Sequence, residues 1–158
     1  VTWFLGIDPG SHRAGACLLH ANGDTIPKAF PLPKGDDLAA RLARLDHDLT
    51  LWLNDAVERG ISATCTVVEN PGVARTGSSI PVLASYGVCL ATAYALMPCP
   101  TFELLNSQWR ARTPLGGGAK KHAIVAWAGE HGVTGEDEAM AFGCAWAARE
   151  LAMKARAA

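Results

Sequence analysis

An apolar run that ends on an acid and is then broken by proline and glycine occurs twice, and it constrains the fold more than any other feature. Trp3-Phe4-Leu5-Gly6-Ile7 runs into Asp8-Pro9-Gly10, and Ala63 to Val68 runs into Glu69-Asn70-Pro71-Gly72. Short runs rich in β-branched and aromatic residues read as buried strands. The Pro-Gly breaks stop each one abruptly. Each strand therefore carries a carboxylate to its C-terminal end, where burying a lone charge is costly.

The rest of the pattern is built around these two runs. Ala14 to His20 predicts a second strand, and Asn22-Gly23 a tight hairpin into a third from about Thr25 to Phe30. The chain thus opens as an antiparallel meander, closed by Pro31 and Pro33. From Asp36 onward, Leu38, Leu42, Leu45, Leu49, Trp52, Leu53 and Val57 recur at threes and fours, predicting one amphipathic helix that Gly60 stops. A helix from Ser79 to Met97, apolar nearly all round, comes after Glu69 and its loop. Phe102 to Leu105 predicts a short strand, and Asn106 to Gly118 an irregular segment. Helices from Ala119 to His131 and from Glu136 to about Lys154 complete the order βββ-α-β-α-β-α-α. Three antiparallel strands followed by α/β alternation predict an α/β fold, a mixed five-stranded sheet flanked by helices. No repeat or linker interrupts it, so residues 1–158 read as one domain.

With 49% apolar and 18% charged residues, the composition is globular rather than disordered. No window approaches the roughly 18 uninterrupted apolar residues that a spanning helix needs, so no membrane partner is expected. Val1 to Gly10 lacks the basic start and apolar core of a signal peptide. Cys17, Cys65, Cys89, Cys99 and Cys144 are scattered without a C-x-x-C pair, which suits neither a disulfide framework nor a zinc site. They predict small buried thiols in a reducing, cytoplasmic setting. The 14 basic and 15 acidic residues give a formal net charge of −1, which by itself argues against a general polyelectrolyte binder.

A third acidic point, Glu136-Asp137-Glu138, opens the last helix, where the helix dipole favours acids. Taken singly, each point has a plain structural explanation: Asp8 caps a turn, Glu69 ends a strand, and the trio complements a helix N-terminus. Three acidic points on three separate elements also suit a hard divalent cation, which takes oxygen ligands. Spacing alone leaves both readings open.

Phe4-Leu5-Gly6-Ile7-Asp8-Pro9-Gly10-Ser11 resembles the opening strand of the RuvC-type Holliday-junction resolvases, where a G-I-D-P-G-[ST] run starts the chain. Val67-Val68-Glu69 resembles that family's second acidic strand end, and Asp137-Glu138-Ala139-Met140-Ala141 its acid-Ala-Leu-Ala run. Length and order of elements agree, so the resemblance covers essentially the whole chain, and the compact form looks closer to phage-encoded members. It implies a ribonuclease-H-like fold and a homodimer. It also implies a crossover junction endodeoxyribonuclease of DNA recombination and repair that cuts four-way DNA junctions with Mg²⁺ or Mn²⁺, in the bacterial host's cytoplasm if the chain is phage-encoded. On that resemblance Asp8 bridges two ions, Glu69 binds one, and Glu138 with Asp137 completes the other, for in-line attack of water on phosphate. The family's last helix carries two metal-binding groups three residues apart. Glu138 matches one, but the position three before it is Gly135, so Asp137, then Glu136, is the expected substitute.

A near-neutral chain can still carry a basic face. Between Glu103 and Glu130 there is no acid, whereas Arg110, Arg112, Lys120, Lys121 and His122 fall there, with Trp109 and Gly116-Gly117-Gly118. Glycines let backbone N–H groups approach phosphates, and the lysine pair opens a helix whose N-terminus favours anions. Trp109, Arg110, Arg112, Lys120 and Lys121 are therefore candidate DNA contacts, with Arg13 and Arg75 weaker ones. A solvated basic loop is the competing explanation. In the Ser79–Met97 helix, Val82, Leu83, Val88, Leu90, Tyr94, Leu96 and Met97 cover more surface than a sheet can bury. That suits a two-fold partner, although a helix sandwiched inside the monomer fits too. His131 is either a proton-transfer group or a surface histidine.

Two other functions share these residues. One is an RNase-H-like nuclease acting on another branched or hybrid substrate; the other is a non-catalytic junction-binding scaffold, which Gly135 leaves open. An actin-like kinase, with a similar Asp-x-Gly turn, needs a second domain that this length cannot readily supply.

Overall fold

In the computed structural model, residues 2–72 and 80–157 are described. β1 (Trp3–Asp8), β2 (Arg13–His20) and β3 (Thr25–Pro31) form the antiparallel meander. After α1 (Leu38–Glu58), β4 (Ala63–Asn70) adds in parallel on the other side of β1, and after α2 (Ile80–Leu96), β5 (Thr101–Leu105) adds in parallel to β4. The sheet order is β3-β2-β1-β4-β5, which puts β1 at its centre. The β2–β3 hairpin turns at Gly23, whose φ of 104° a side chain would resist.

Period-two alternation along β1 splits the core into two layers. Leu5 and Ile7 join Leu18, Leu45, Leu49, Leu53 and Val68 under α1 and α2. Phe4 points the other way, toward α3 (Asn106–Arg110), α4 (Lys121–Glu130) and α5 (Glu136–Ala157). The short α3 forms inside the segment expected to be irregular, and α4 starts at Lys121 rather than Ala119.

Helix α1 is capped by Asp37, one residue past the expected start, whose Oδ1 accepts a hydrogen bond from the Ala40 amide at 2.7 Å. Leu45, Leu49, Leu53 and Ala56 form its buried stripe, so Val57, a further 100° round, stands 48% exposed instead of in the core. Cys17, Cys65, Cys89 and Cys144 are buried free thiols, as expected, while Cys99 is half-buried.

Helix α5 lies unusually close to the sheet, and two glycines permit it. A Cβ at Gly6 would overlap the Ala141 carbonyl and the Ala145 amide, and one at Gly15 would overlap the Asp137 carbonyl. The facing side of α5 is correspondingly small, with Ala139, Ala141, Cys144, Ala145 and Ala148 fully buried. Helix α2 buries only Ser85, Cys89, Thr92 and Ala93, and Thr92 Oγ1 donates to Asp46 Oδ1 on α1 at 2.8 Å. Ile80 and Tyr94 are 74% and 55% exposed. Met97, expected on a partner-facing surface, is instead fully buried in this chain's own core. Among the described residues no helix is long and apolar enough to cross a membrane.

Candidate active site

The sheet register brings the first two acids together. Ile7 pairs with Val68 across the parallel β1–β4 ladder, so the next residues, Asp8 and Glu69, sit side by side at the C-terminal ends of their strands. Across the antiparallel ladder Asp8 pairs with Gly15, and Gly15 is where the first turn of α5 rests on the sheet. That contact delivers Asp137. Acids from β1, β4 and α5 thus lie at one end of the central strands, near enough to act on one another electrostatically.

Their electrostatics confirm the proximity. Burial raises the Asp8 carboxyl well above the ordinary aspartate range, and the charges of Glu69 and Asp137 raise it further, against the pull of Lys121 and Arg110. No hydrogen bond from the described residues offsets the burial of Asp8. Glu69 is raised by burial too, but it is better supported. Trp109 Nε1 donates to its Oε2 at 2.6 Å and Asn106 Nδ2 to its Oε1 at 3.2 Å. Asp137 is raised by burial, while Arg13, whose Nε lies 3.6 Å from its Oδ2, and Lys121 draw it back.

The expected cations fall into distinct places. Lys121, the first residue of α4, holds its Nζ 2.6 Å from Glu136 Oε1, and its charge is felt by Asp8, Glu69 and Asp137. The Arg110 guanidinium lies 5.3 Å from the Trp109 ring centroid and acts on Asp8 and Glu69. Arg112 donates to the Gln108 carbonyl at 2.7 Å, and Lys120 is exposed just before α4. Arg75 lies outside the described residues.

Trp109 corrects an expectation. Its side chain has no exposed surface, so it offers no face to DNA; it packs where Gly143 lacks a Cβ and holds Glu69 instead. A tryptophan among arginines reads in sequence as a candidate DNA contact. Only the notch at Gly143 on a distant helix reveals its actual neighbour. Asn106, the other donor to Glu69, had no sequence signal at all. His131 ends α4, about 15 Å along that helix from Lys121. Its ring sits in an aromatic cluster with Trp127, Phe142 and Trp146, which gives it a packing role and not the proton-transfer one.

Glu138 and Gly135 form a unit. The Glu138 carboxylate curls back over Gly135, into the space a Cβ there would take, and the Ala139 amide donates to the Gly135 carbonyl at 2.8 Å. Among the described residues, no three acidic, histidine or cysteine side chains converge closely enough to enclose a metal ion as they stand. In kind, the donors of the site do fit a hard divalent cation. They are oxygens only, on three elements, and Asp8 has no side-chain hydrogen-bond donor among the described residues.

No protein-family profile and no curated protein matches the sequence. Among solved structures the chain is similar to Thermus thermophilus RuvC, 17% identical over 98% of this chain and 97% of that one, with a TM-score of 0.77. It is similar as well to T. thermophilus RuvC in complex with Holliday junction substrate, 16% identical with the same coverage of both chains and a TM-score of 0.78. At such identity the likeness is one of fold. The expected ribonuclease-H-like architecture, a mixed five-stranded sheet flanked by helices, is the one this chain adopts.

Proposed function

We propose that this chain is a RuvC-type Holliday-junction resolvase, a crossover junction endodeoxyribonuclease that hydrolyses phosphodiesters in four-way or other branched DNA. One observation carries the reading. Asp8 and Glu69 lie side by side on β1 and β4, with Asp137 pressed onto Gly15 beside them, in a fold shared with RuvC over nearly the whole of both chains. Asp8, Glu69 and the acids opening α5, Asp137 and Glu138, would hold Mg²⁺ or Mn²⁺, two per site, whose chemistry is to neutralise charge and activate water.

The protein's own share is positioning. Asp8 sits at the centre of the cluster, and Trp109 and Asn106 fix the orientation of Glu69. Lys121, Arg110 and Arg13 supply the local positive charge that draws a phosphodiester toward acids which would otherwise repel it. Lys120 and Arg112 extend that basic face for the DNA backbone. The exposed apolar residues of α2, Ile80 and Tyr94 among them, suit a two-fold partner, so that two sites act on two strands of a junction. Such a substrate belongs to DNA recombination and repair, in the cytoplasm.

A second reading, a junction-binding scaffold that does not cut, is favoured by the lack of three convergent ligands among the described residues. The deciding experiment is a cleavage panel of four-way, three-way, flap and linear DNA, with and without Mg²⁺, using the wild type and Asp8→Asn. Mg²⁺-dependent cutting of the four-way junction that Asp8→Asn abolishes is the expected result. Binding without cutting by either protein establishes the scaffold.

A further inference from the structure

The sheet has two edges, and only one of them is protected. Strand β3 carries Pro27 and Pro31, which have no N–H to offer, and Lys28 between them. Such residues keep an edge strand from pairing with another chain. Strand β5, at the opposite edge, has neither proline nor lysine. The Thr66 amide donates to the Pro100 carbonyl at 2.9 Å, and alternate residues of a strand bond to the same side. Phe102 and Leu104 therefore turn their backbone groups to β4. Those of Thr101 and Glu103 face outward, and no strand among the described residues lies beyond them.

Beside that open edge, on the α5 face of the sheet, lies an apolar groove of about 230 Å³. Cys65, Pro100 and Phe102 line it from the sheet, and Leu151 and Ala155 from the last turns of α5. Phe102 is 40% exposed there. Arg156 is the one charged residue of the lining, and it makes no ion pair among the described residues. Whole small molecules occupy pockets of about 300–1,000 Å³, so a groove of this size suits a side chain or two.

We infer that β5 and this groove form a docking site for an extended peptide of a partner protein, apolar and acidic in alternation, which adds to the sheet as a further strand. Backbone pairing along β5 supplies affinity, and the groove supplies specificity. An added strand places every second side chain on the α5 face. There an apolar side chain enters beside Phe102, and an acidic one meets the unpaired charge of Arg156. A second copy of this chain fits less well. Antiparallel pairing of two β5 strands about their middle residue sets Glu103 against Glu103, and like charges directly opposite weaken a ladder. Cys65 lies four residues before Glu69 along β4, a distance of about 13 Å. A docked peptide thus leaves the acids at the other end of the strands uncovered, and docking is independent of whether those acids cut DNA.

The test selects octapeptides from a random display library on the full chain, then measures binding of the synthesised peptides by fluorescence anisotropy. The wild type is expected to enrich peptides that alternate apolar with acidic residues. The same selection on Arg156→Glu should return basic residues in place of the acidic ones, a reversal that lost packing cannot produce. Thr101→Pro removes an outward amide at the first residue of the strand, where proline is tolerated, and leaves the groove side chains in place. It should weaken the selected peptides at least about fivefold, with the melting transition retained. Failure to enrich any peptide overturns the inference, as does equal binding of the selected peptides by wild type, Arg156→Glu and Thr101→Pro. Dissociation of a dimer of this chain by Thr101→Pro, with no peptide bound, makes the second copy the occupant and overturns it too.

Discussion

Trp109 donates its indole N–H to Glu69 Oε2 at 2.6 Å from a ring with no exposed surface. Because that ring sits against Gly143, a single side chain ties the acid of β4 to the helix that supplies Asp137. Trp109→Phe keeps most of the packing and deletes the donor. Leaving a half-buried carboxylate short of a partner costs about 1–3 kcal/mol. The expected result is a lower urea midpoint at unchanged m-value, together with slower junction cleavage. A variant as stable and active as the wild type would show that this bond is incidental.

The two glycine contacts of α5 make an ordered prediction. At Gly6 an added Cβ meets backbone atoms of Ala141 and Ala145, which cannot yield without moving the helix. At Gly143 it meets the edge of the Trp109 ring, which can shift. Gly143→Ala is expected to cost about 1–3 kcal/mol, the range for overpacking, and Gly6→Ala more. Denaturant unfolding of both variants checks the order, and the reverse order contradicts the close-approach argument.

Asp8 sets a pH dependence whose sign follows from its environment. Its carboxyl is raised above the ordinary value of 3.8 in the folded protein, so the native state binds more protons than the unfolded chain just above that pH. The contribution of Asp8 to metal-free stability is therefore fully present below pH 3.8 and is lost as pH rises through the folded value. Asp8→Asn removes this loss. Its melting temperature should gain on the wild type as the buffer is taken from acid to neutral, and a difference independent of pH is the opposing outcome.

Lys121 lies within reach of all three carboxylates, whereas Lys120 stands exposed beside it. Removing a cation that neutralises one phosphate should reduce the slope of log affinity against log salt by about 0.9. The double variant Lys120→Ala/Lys121→Ala is expected to bind a four-way junction more weakly with a shallower salt slope. An unchanged slope returns these lysines to the solvated surface.

Tyr94 stands on the α2 face that nothing among the described residues covers, 55% exposed. Tyr94→Glu places a charge there without touching the core. Sedimentation should find the wild type dimeric and the variant monomeric at micromolar concentration, with the melting transition of the fold retained. A monomeric wild type, with and without DNA, removes the two-fold assembly.

Much of this molecule is legible in its local sequence. The meander, the order of strands and helices, the α1 stripe and the acids at two strand ends all follow from periodicity and from Pro-Gly breaks, which act over a few residues. The errors share one cause. Val57, Met97 and Trp109 each belong to a hydrophobic pattern, but which side a neighbour covers depends on elements far away in the chain. A pattern records that a residue is apolar and says nothing of which helix meets it.

The acids show the same boundary at the site itself. Residue order alone determined that Asp8 and Glu69 end their strands, because strand ends are marked locally; that β4 settles beside β1 rather than β3 was decided by the tertiary structure. Residue order could not choose among Glu136, Asp137 and Glu138, which all lie within one helical turn. Tertiary contacts tell them apart: the Asp137 carbonyl rests on Gly15, Lys121 pairs with Glu136, and the Glu138 carboxylate lies over Gly135. A glycine's missing side chain acts only on whatever the fold brings against it, so its consequence is settled by tertiary contact.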